Sequence, residues 1–275
     1  MESLTVAPAI RQKSMKYPIV IRYEMPKDCS PIRMITQRMM MYPIDLPIPQ
    51  PIRPIRGFAI AVVVLLGVGT LIDLFSLIVA FNRASLISAL IDSPESVDMD
   101  AVNTNDNLSI LLGWAQTFMY VLTGIAFVIW LYRARSNAES LTLIPHRRNA
   151  AWAVFGWVVP IVSLWFPKQI VDDIWATSKP SGPDISEFRR LSLNSAPRSG
   201  LVMAWWASWL ISTWVSNFFY RVSARSDDLD SYLMAANIEI YFALPTLTCA
   251  VLAAMVVLKI TGFQDRRPAT FAPAV

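Results

Sequence analysis

Apolar side chains are concentrated in four long runs along the chain, and polar stretches separate the runs. The runs extend from about Phe58 to Phe81, Leu108 to Tyr132, Leu201 to Tyr220 and Leu233 to Leu258. At a rise of about 1.5 Å per residue, about 20 helical residues cross a hydrocarbon core of about 30 Å. The pattern therefore predicts an all-α fold, a polytopic bundle of four transmembrane helices.

A further apolar segment, residues 150–166, is shorter and is interrupted by prolines. Pro160 has no amide proton and clashes with the preceding turn, so a helix that enters this segment should kink or end near Val159. Pro167 suits the first turn of a new, amphipathic helix. We expect a re-entrant or interfacial hairpin, which is marked by Pro160, Trp165, Pro167 and Trp175. The alternative is a kinked fifth transmembrane helix.

The distribution of basic residues favours the hairpin over a fifth transmembrane helix. If residues 150–166 crossed the membrane, Lys168, Lys179 and Arg198 would lie outside together with Lys259, against the tendency of basic residues to stay on the cytoplasmic side. If the segment returns, the whole region between the second and third runs is cytoplasmic. We therefore predict four spans with both termini in the cytoplasm.

The ends of the chain differ from the membrane domain, which we place at residues 57–265. Residues 1–56 mix prolines with basic residues and show no sustained period, so we expect a disordered, proline-rich cytoplasmic arm. Met39, Met40 and Met41 directly precede its most proline-rich part. This position suggests the hypothesis that translation begins there and that residues 1–38 are a gene-start artefact. Residues 266–275 are expected to form a short cytoplasmic tail.

Composition supports a membrane protein and excludes other classes. The chain is 55% hydrophobic and 16% charged, whereas soluble proteins have about a quarter charged residues. A net charge of +4 is too small and scattered to predict nucleic-acid binding. The two cysteines form no disulfide framework, and the sequence contains none of the common nucleotide, hydrolase or zinc-protease motifs. We therefore expect no enzyme activity, no cofactor and no metal site.

Two acidic residues within the apolar runs, Asp73 and Glu239, are the candidate intramembrane polar residues. Ionisable side chains in a bilayer are costly and are often functional, so the pair could share a proton or bind a cation. The simpler interpretation is structural, with each acid paired with an arginine such as Arg83 or Arg221, or hydrogen-bonded to Asn217 or Asn237. In the four-span arrangement we expect the two acids at similar depth, about 9–12 Å from the outer surface.

Basic residues flanking the hairpin are the candidate contacts to lipid. Arg133, Arg135, Arg147 and Arg148 could bind anionic lipid, at about 1 kcal/mol per charge, or simply fix the orientation. His146 lies beside two of them, and a lone histidine is expected to be exposed to solvent. Asp172 and Asp173 are expected on the water-facing side of the amphipathic helix.

Two motifs in this region carry a family resemblance: Trp130-LYRARSNAESL and Trp152-AVFGWVVPIVSLWFPKQIVDDIWATS, joined by Pro145-HRRN. They resemble the actinobacterial integral-membrane family called domain of unknown function 4328, over about Gly57 to Lys259. The resemblance implies a plasma-membrane protein of a Gram-positive bacterium with a proline-rich arm. It implies no catalytic or ligand-binding residue.

Two classes of function follow from the sequence. The first is a non-enzymatic membrane component that binds a partner protein or an anionic lipid through the hairpin and its amphipathic helix. The alternative is a small transporter or channel in which Asp73 and Glu239 couple to protons or cations, because broken membrane helices line the sites of such proteins. A stable partner in mild detergent would favour the first class, and flux in vesicles would favour the second. The oligomeric state is not predicted.

Overall fold

The computed structural model describes residues 52–142, 144–180, 193, 197–223 and 228–266, with the backbone only for residues 216–223. The described residues form six α-helices and no strand, so the predicted all-α class is confirmed. The helices are α1 (Arg56–Asp92), α2 (Met99–Ser140), α3 (Trp152–Phe155), α4 (Phe166–Ser178), α5 (Gly200–Ser223) and α6 (Leu229–Asp265), with short 3-10 turns at Pro94–Ser96 and Val162–Leu164.

Three helices, α1, α2 and α6, are long and apolar enough to cross a membrane; in the 24-residue α5, the part described with side chains, Gly200–Val215, is also apolar. The long helices extend beyond the apolar runs that predicted them. A 37-residue helix such as α1 is about 55 Å long, well over the thickness of a hydrocarbon core. The connection predicted over residues 82–107 is therefore mostly helical. The side chain of Asp98 starts α2 by accepting a hydrogen bond from the Asp100 amide at 2.9 Å.

The four longer helices are neighbours in the order α2, α1, α6, α5, with α2 and α5 at the two ends of the row. The segment after α2 connects these two ends. Trp157, from the turn after α3, packs edge-on against Phe127 of α2 and against Trp206 and Trp209 of α5, with ring centroids 5.6–6.1 Å apart. The indole of Trp206 also donates to the Leu164 carbonyl at 3.2 Å. Aromatic packing thus joins helices that lie apart in the row.

Residues 150–166 fold back on themselves. Regular helix ends at Phe155, a turn earlier than Pro160 alone predicts, and turns continue to the start of α4. The rings of Trp152 and Phe166 are 5.0 Å apart, whereas 14 residues of straight helix would separate them by about 21 Å. Pro167 lies in the first turn of α4, as its fixed φ angle predicts. The chain therefore reverses direction within this segment.

Side-chain burial is uneven along the bundle. The beginnings of α1 and α5 meet the ends of α2 and α6 at one end, which with α3 and α4 we call the packed end. The hydrophobic core lies there and includes Val62, Trp130, Ile174 and Val257, all fully buried. The other half of α1, α2 and α6, about residues 64–92, 99–125 and 229–251, we call the sparse half. Few of its side chains are buried, and large apolar ones such as Trp114 are exposed.

Candidate functional site

The packed end contains a buried network of uncharged polar side chains. The amide of Asn137 on α2 pairs with the backbone of Arg53: it accepts from the Arg53 amide and donates to its carbonyl, both at 2.8 Å. Asn137 also donates to Gln264 of α6 at 3.1 Å. Ile55 beside this contact is 1% exposed. Residues 52–56 are therefore bound to the bundle, which corrects the prediction of a disordered arm for this part; residues 1–51 lie outside the described residues.

Gln264 joins three helices at this network. Its Nε2 donates to the Ala134 carbonyl of α2 at 2.9 Å and to Ser178 Oγ of α4 at 2.8 Å, and its Oε1 accepts from Asn137. Nearby, the Trp130 indole donates to Thr261 Oγ1 at 3.1 Å. Every one of these groups is buried and hydrogen-bonded, so the network fixes how α2, α4 and α6 pack.

An ion pair attaches α4 to the loop that precedes the hairpin. Asp173, 1% exposed, accepts from the Arg147 amide at 3.0 Å and from Arg147 Nε at 2.7 Å, and Arg147 Nη2 is 2.6 Å from the same carboxylate. Burial raises the pKa of Asp173, and the contacts with Arg147 act in the opposite direction. The prediction that Asp172 and Asp173 face water was wrong, since Asp172 is also buried and binds Lys168 at 2.6 Å.

Arg148 is held flat against the hairpin. Its Nε donates to Gln169 Oε1 at 2.9 Å, and its guanidinium carbon lies 3.8 Å from the centre of the Phe166 ring. Arg133, the first of the predicted basic residues, makes a similar contact elsewhere, 4.3 Å above the ring of Phe58. Both are cation–π contacts, which stabilise an arginine and orient its hydrogen-bonding edge.

Arg135 is the most buried of the predicted basic residues, with a side chain 3% exposed. Its Nη2 donates to Glu139 at 2.9 Å and to the Arg148 carbonyl at 2.6 Å. Its Nε and Nη1 are buried and have no hydrogen-bond partner in the part of the chain that the structure describes. Buried donors without a partner are rare in folded proteins and mark places where a ligand or water can add one.

Arg135 and Arg148 both line an open cleft with a volume of about 410 Å³, together with Glu139, His146 and other residues of the loop after α2. The prediction that His146 is exposed to solvent was wrong: the residue is half-buried, and its Nε2 is inaccessible and has no hydrogen-bond partner among the described residues. Desolvation and the nearby charges of Arg135 and Arg147 lower the pKa of His146 to about 3. The imidazole is therefore neutral at pH 7, and the arginines supply the positive charge of the cleft.

The two candidate intramembrane acids are not brought together. Asp73 on α1 accepts from Gln116 Nε2 of α2 at 3.1 Å, and the same amide donates to Ser76. Glu239 on α6 pairs with Arg83 at 3.5 Å. Arg83 follows Asp73 by ten residues on α1, about 15 Å along the helix, so the two acids bind partners on different turns; their common depth in a membrane stays a prediction. Each has the kind of structural partner that the simpler interpretation expects.

The two remaining tryptophans of the predicted hairpin differ in their surroundings. Trp175 packs edge-on against Phe263 of α6 at 5.1 Å, while Trp165 is half-exposed. Sequence reasoning missed Asn137 and Gln264. Both could have been noticed as uncharged amide side chains just beyond the end of an apolar run, a position where charged residues are more common. Within the described residues, no group of three or more His, Cys, Asp or Glu side chains could hold a metal ion.

Comparison with known proteins gives one match. A family model described as "Domain of unknown function (DUF4328)" matches residues 93–262, which include α2, the hairpin, α4, α5 and most of α6. No curated protein matches the chain, and no solved structure matches it.

Proposed function

The chain belongs to the DUF4328 family, and on this basis we propose that it is a non-enzymatic, multi-pass protein of the bacterial plasma membrane that binds anionic lipid at its packed end. In this proposal α1, α2, α5 and α6 cross the membrane, the hairpin enters and returns, and both termini are cytoplasmic. The actinobacterial origin that the sequence resemblance implies is consistent with such a membrane.

The charge distribution supports this orientation. The packed end carries Arg133, Arg147, Arg148 and Lys168, whereas the connection at the opposite end, residues 92–106, contains five acids and no basic residue. Basic residues favour the cytoplasmic side. The reversal between Trp152 and Phe166 also supports an even number of crossings, because the chain leaves the hairpin at the end where it entered.

Cysteine labelling tests the orientation. Cys29 and Cys249 are first replaced by serine, and single cysteines are introduced as Lys179→Cys at the packed end and Asp98→Cys at the opposite end, where both positions are exposed. A membrane-impermeant maleimide should label the second variant on intact cells and the first only after the cells are opened. Labelling of the Lys179→Cys variant from outside would contradict the four-span arrangement.

One observation carries the proposed lipid binding: arginines stacked on phenylalanines, Arg133 on Phe58 and Arg148 on Phe166, lie at the end where the hairpin would meet the cytoplasmic headgroups. Basic side chains near an anionic leaflet contribute about 1 kcal/mol each to lipid binding. A protein partner is the alternative occupant of this end. Transport has less support, because Asp73 and Glu239 bind separate partners.

The lipid-binding proposal is tested on the full chain extracted in mild detergent and placed in nanodiscs that contain mixtures of phosphatidylglycerol and phosphatidylcholine. Mass spectrometry of the lipids that remain after re-extraction should show enrichment of phosphatidylglycerol. Retention of the two lipids in the proportion supplied would contradict lipid selectivity. A stoichiometric protein that co-purifies without such enrichment would favour the protein-partner alternative.

A further inference from the structure

We infer that the cleft between the end of α2 and the loop that follows it is a binding site for one monoanionic phosphate group, either in a lipid headgroup or as free phosphate. The inference rests on the proposed function, because it gives the lipid binding of the packed end a specific position and chemistry. It differs from that proposal in requiring a defined pocket in place of a general attraction between a basic surface and an anionic membrane.

The charges around the cleft leave one positive charge without a counterpart. Arg147 is neutralised by Asp173 at 2.6 Å, and Arg135 is paired with Glu139 at 2.9 Å. Arg148 has no carboxylate within ion-pair distance among the described residues, and its contacts are to an amide oxygen and an aromatic ring. A partly desolvated cation without an anion is unfavourable, and an anionic ligand in the cleft would compensate it.

The donors at the cleft are arranged in a fixed way. Phe166 and Gln169 hold the plane of the Arg148 guanidinium. The Arg148 carbonyl accepts from Arg135 Nη2 at 2.6 Å, so the positions of the two cations are coupled through the backbone. Nε and Nη1 of Arg135 have no partner among the described residues but are buried, so Arg135 adds donors beneath the cleft, and Arg148 is the arginine left to contact a ligand directly. Planar guanidinium groups with free edges suit phosphate, whose oxygens accept paired hydrogen bonds.

The same residues limit the charge of the ligand. Glu139 also lines the cleft and would repel an anion, and the neutral His146 adds no positive charge. The surroundings therefore compensate one negative charge better than two. A phosphodiester carries one negative charge, whereas inorganic phosphate near pH 7 is partly a dianion. The cleft volume of about 410 Å³ is at the lower end of the range of small-molecule sites. A headgroup phosphodiester fits both limits.

The test uses the full chain in mild detergent. Ligand binding is measured as protection against thermal unfolding, with three probes: inorganic phosphate, short-chain phosphatidylglycerol and short-chain phosphatidylcholine. Phosphatidylglycerol should protect at the lowest concentration. If inorganic phosphate protects equally well, the ligand is free phosphate and the site stands. If phosphatidylglycerol alone protects, the ligand is the lipid headgroup.

Two matched arginine substitutions locate the site. Arg148→Gln should weaken protection by phosphatidylglycerol about tenfold, the effect of losing a hydrogen bond to a charged group. Arg56→Gln removes the same charge at the exposed start of α1, at the same end of the bundle but outside the cleft lining, so it should change the apparent affinity less than about twofold. Arg148→Lys keeps the charge and loses the planar fork, and should weaken binding about fivefold.

Three outcomes would overturn the inference. The first is the absence of protection of the unsubstituted chain by either phosphate probe. The second is an equal loss in the Arg148→Gln and Arg56→Gln variants, which would leave general lipid attraction intact and remove only the specific site. The third applies if Arg148→Gln does not fold: unchanged affinity in the folded Arg148→Lys variant. Loss of phosphatidylglycerol enrichment in nanodiscs would instead contradict the proposed function itself.

Discussion

The packed end and the sparse half are built from the same helices, yet they differ in how those helices hold together. At the packed end, apolar side chains from all the helices form one core, and Asn137 and Gln264 connect them by buried hydrogen bonds. In the sparse half of α1, α2 and α6, most apolar side chains point outward, as Trp114 and Tyr241 do. The packed end resembles the interior of a soluble protein, while the sparse half has the surface of a lipid-facing bundle.

The difference shows where specificity resides in this molecule. Lipid is as apolar as leucine, so burial of apolar side chains between membrane helices gives little net stability, and close packing and hydrogen bonds determine the arrangement. The hairpin supplies close packing at the packed end, through Trp157 between α2 and α5, and the loop before it supplies hydrogen bonds through Arg147. Substitutions at the packed end should therefore be costly, and equivalent substitutions in the sparse half should be mild.

The largest contrast is expected for tryptophan truncation. Trp130→Ala leaves a cavity in the core and removes the hydrogen bond to Thr261, so it should lower the free energy of unfolding by about 4 kcal/mol. Trp114→Ala, at a position 72% exposed in the sparse half, should change it by less than about 0.5 kcal/mol. Titration with sodium dodecyl sulfate, followed by circular dichroism, measures both. Similar losses would mean that the sparse half is packed against a further surface.

The second largest contrast is expected for the loss of a carboxylate from a buried ion pair. Asp173→Asn leaves the positive charge of Arg147 without its partner in a mostly buried position and should cost about 3 kcal/mol. Glu239→Gln breaks the more exposed ion pair with Arg83 and should cost less than about 1 kcal/mol. The same detergent titration compares the two variants. A larger effect at Glu239 would reverse the comparison and show that the sparse half depends on the ion pair with Arg83.

A glycine pair tests the hairpin directly. A Cβ atom at Gly156 would lie 2.5 Å from the Trp152 carbonyl oxygen, so Gly156→Ala must displace the backbone and should cost about 2 kcal/mol. At Gly113 in α2, nothing lies within 4 Å of an added Cβ, and Gly113→Ala should be neutral or slightly stabilising. Thermal midpoints in mild detergent provide the readout. Equal midpoints for the two variants would show that the turn after α3 tolerates rearrangement.

The smallest expected effect is a dependence on pH through His146. Its pKa in the folded chain is about 3, below the ordinary value of 6.5, so acidification protonates the unfolded chain first and stability falls as pH drops below about 6.5. Between pH 7 and pH 6 the loss should be less than about 1 kcal/mol. His146→Gln should reduce the slope, and comparing the two chains cancels the contributions of titratable groups that both share. Identical slopes would place His146 in solvent.

The fold was largely predictable because apolar length and proline chemistry act locally. The four apolar runs lie within α1, α2, α5 and α6, and the chain reverses in the segment that contains Pro160, before Pro167 begins α4. The helix ends were predicted less well. Hydropathy marks where a helix leaves lipid, whereas the helix itself continues until its hydrogen bonding is interrupted, as in α1 at Asp92.

The candidate site was predictable only in part. The four basic residues were identified from their position beside the hairpin, but the sequence could not show that Arg135 and Arg148 share a cleft while Arg133 stacks elsewhere. Burial of His146 was also missed, and so was burial of Asp173, since a charged residue on an amphipathic helix normally faces water. The partner of Asp173, Arg147, lies 26 residues earlier in the chain, beyond the reach of helical periodicity.

The amino-acid sequence by itself determined the helical class, the number of long apolar segments and the interruption at residues 150–166, because these depend on side-chain hydrophobicity and on the missing amide proton of proline. The tertiary structure alone decided the neighbour order of the helices, the aromatic contacts of Trp157, the separate partners of Asp73 and Glu239, and the cleft beside Arg148. These features depend on contacts between residues far apart in the chain. Such contacts are set by packing geometry, which no local pattern encodes.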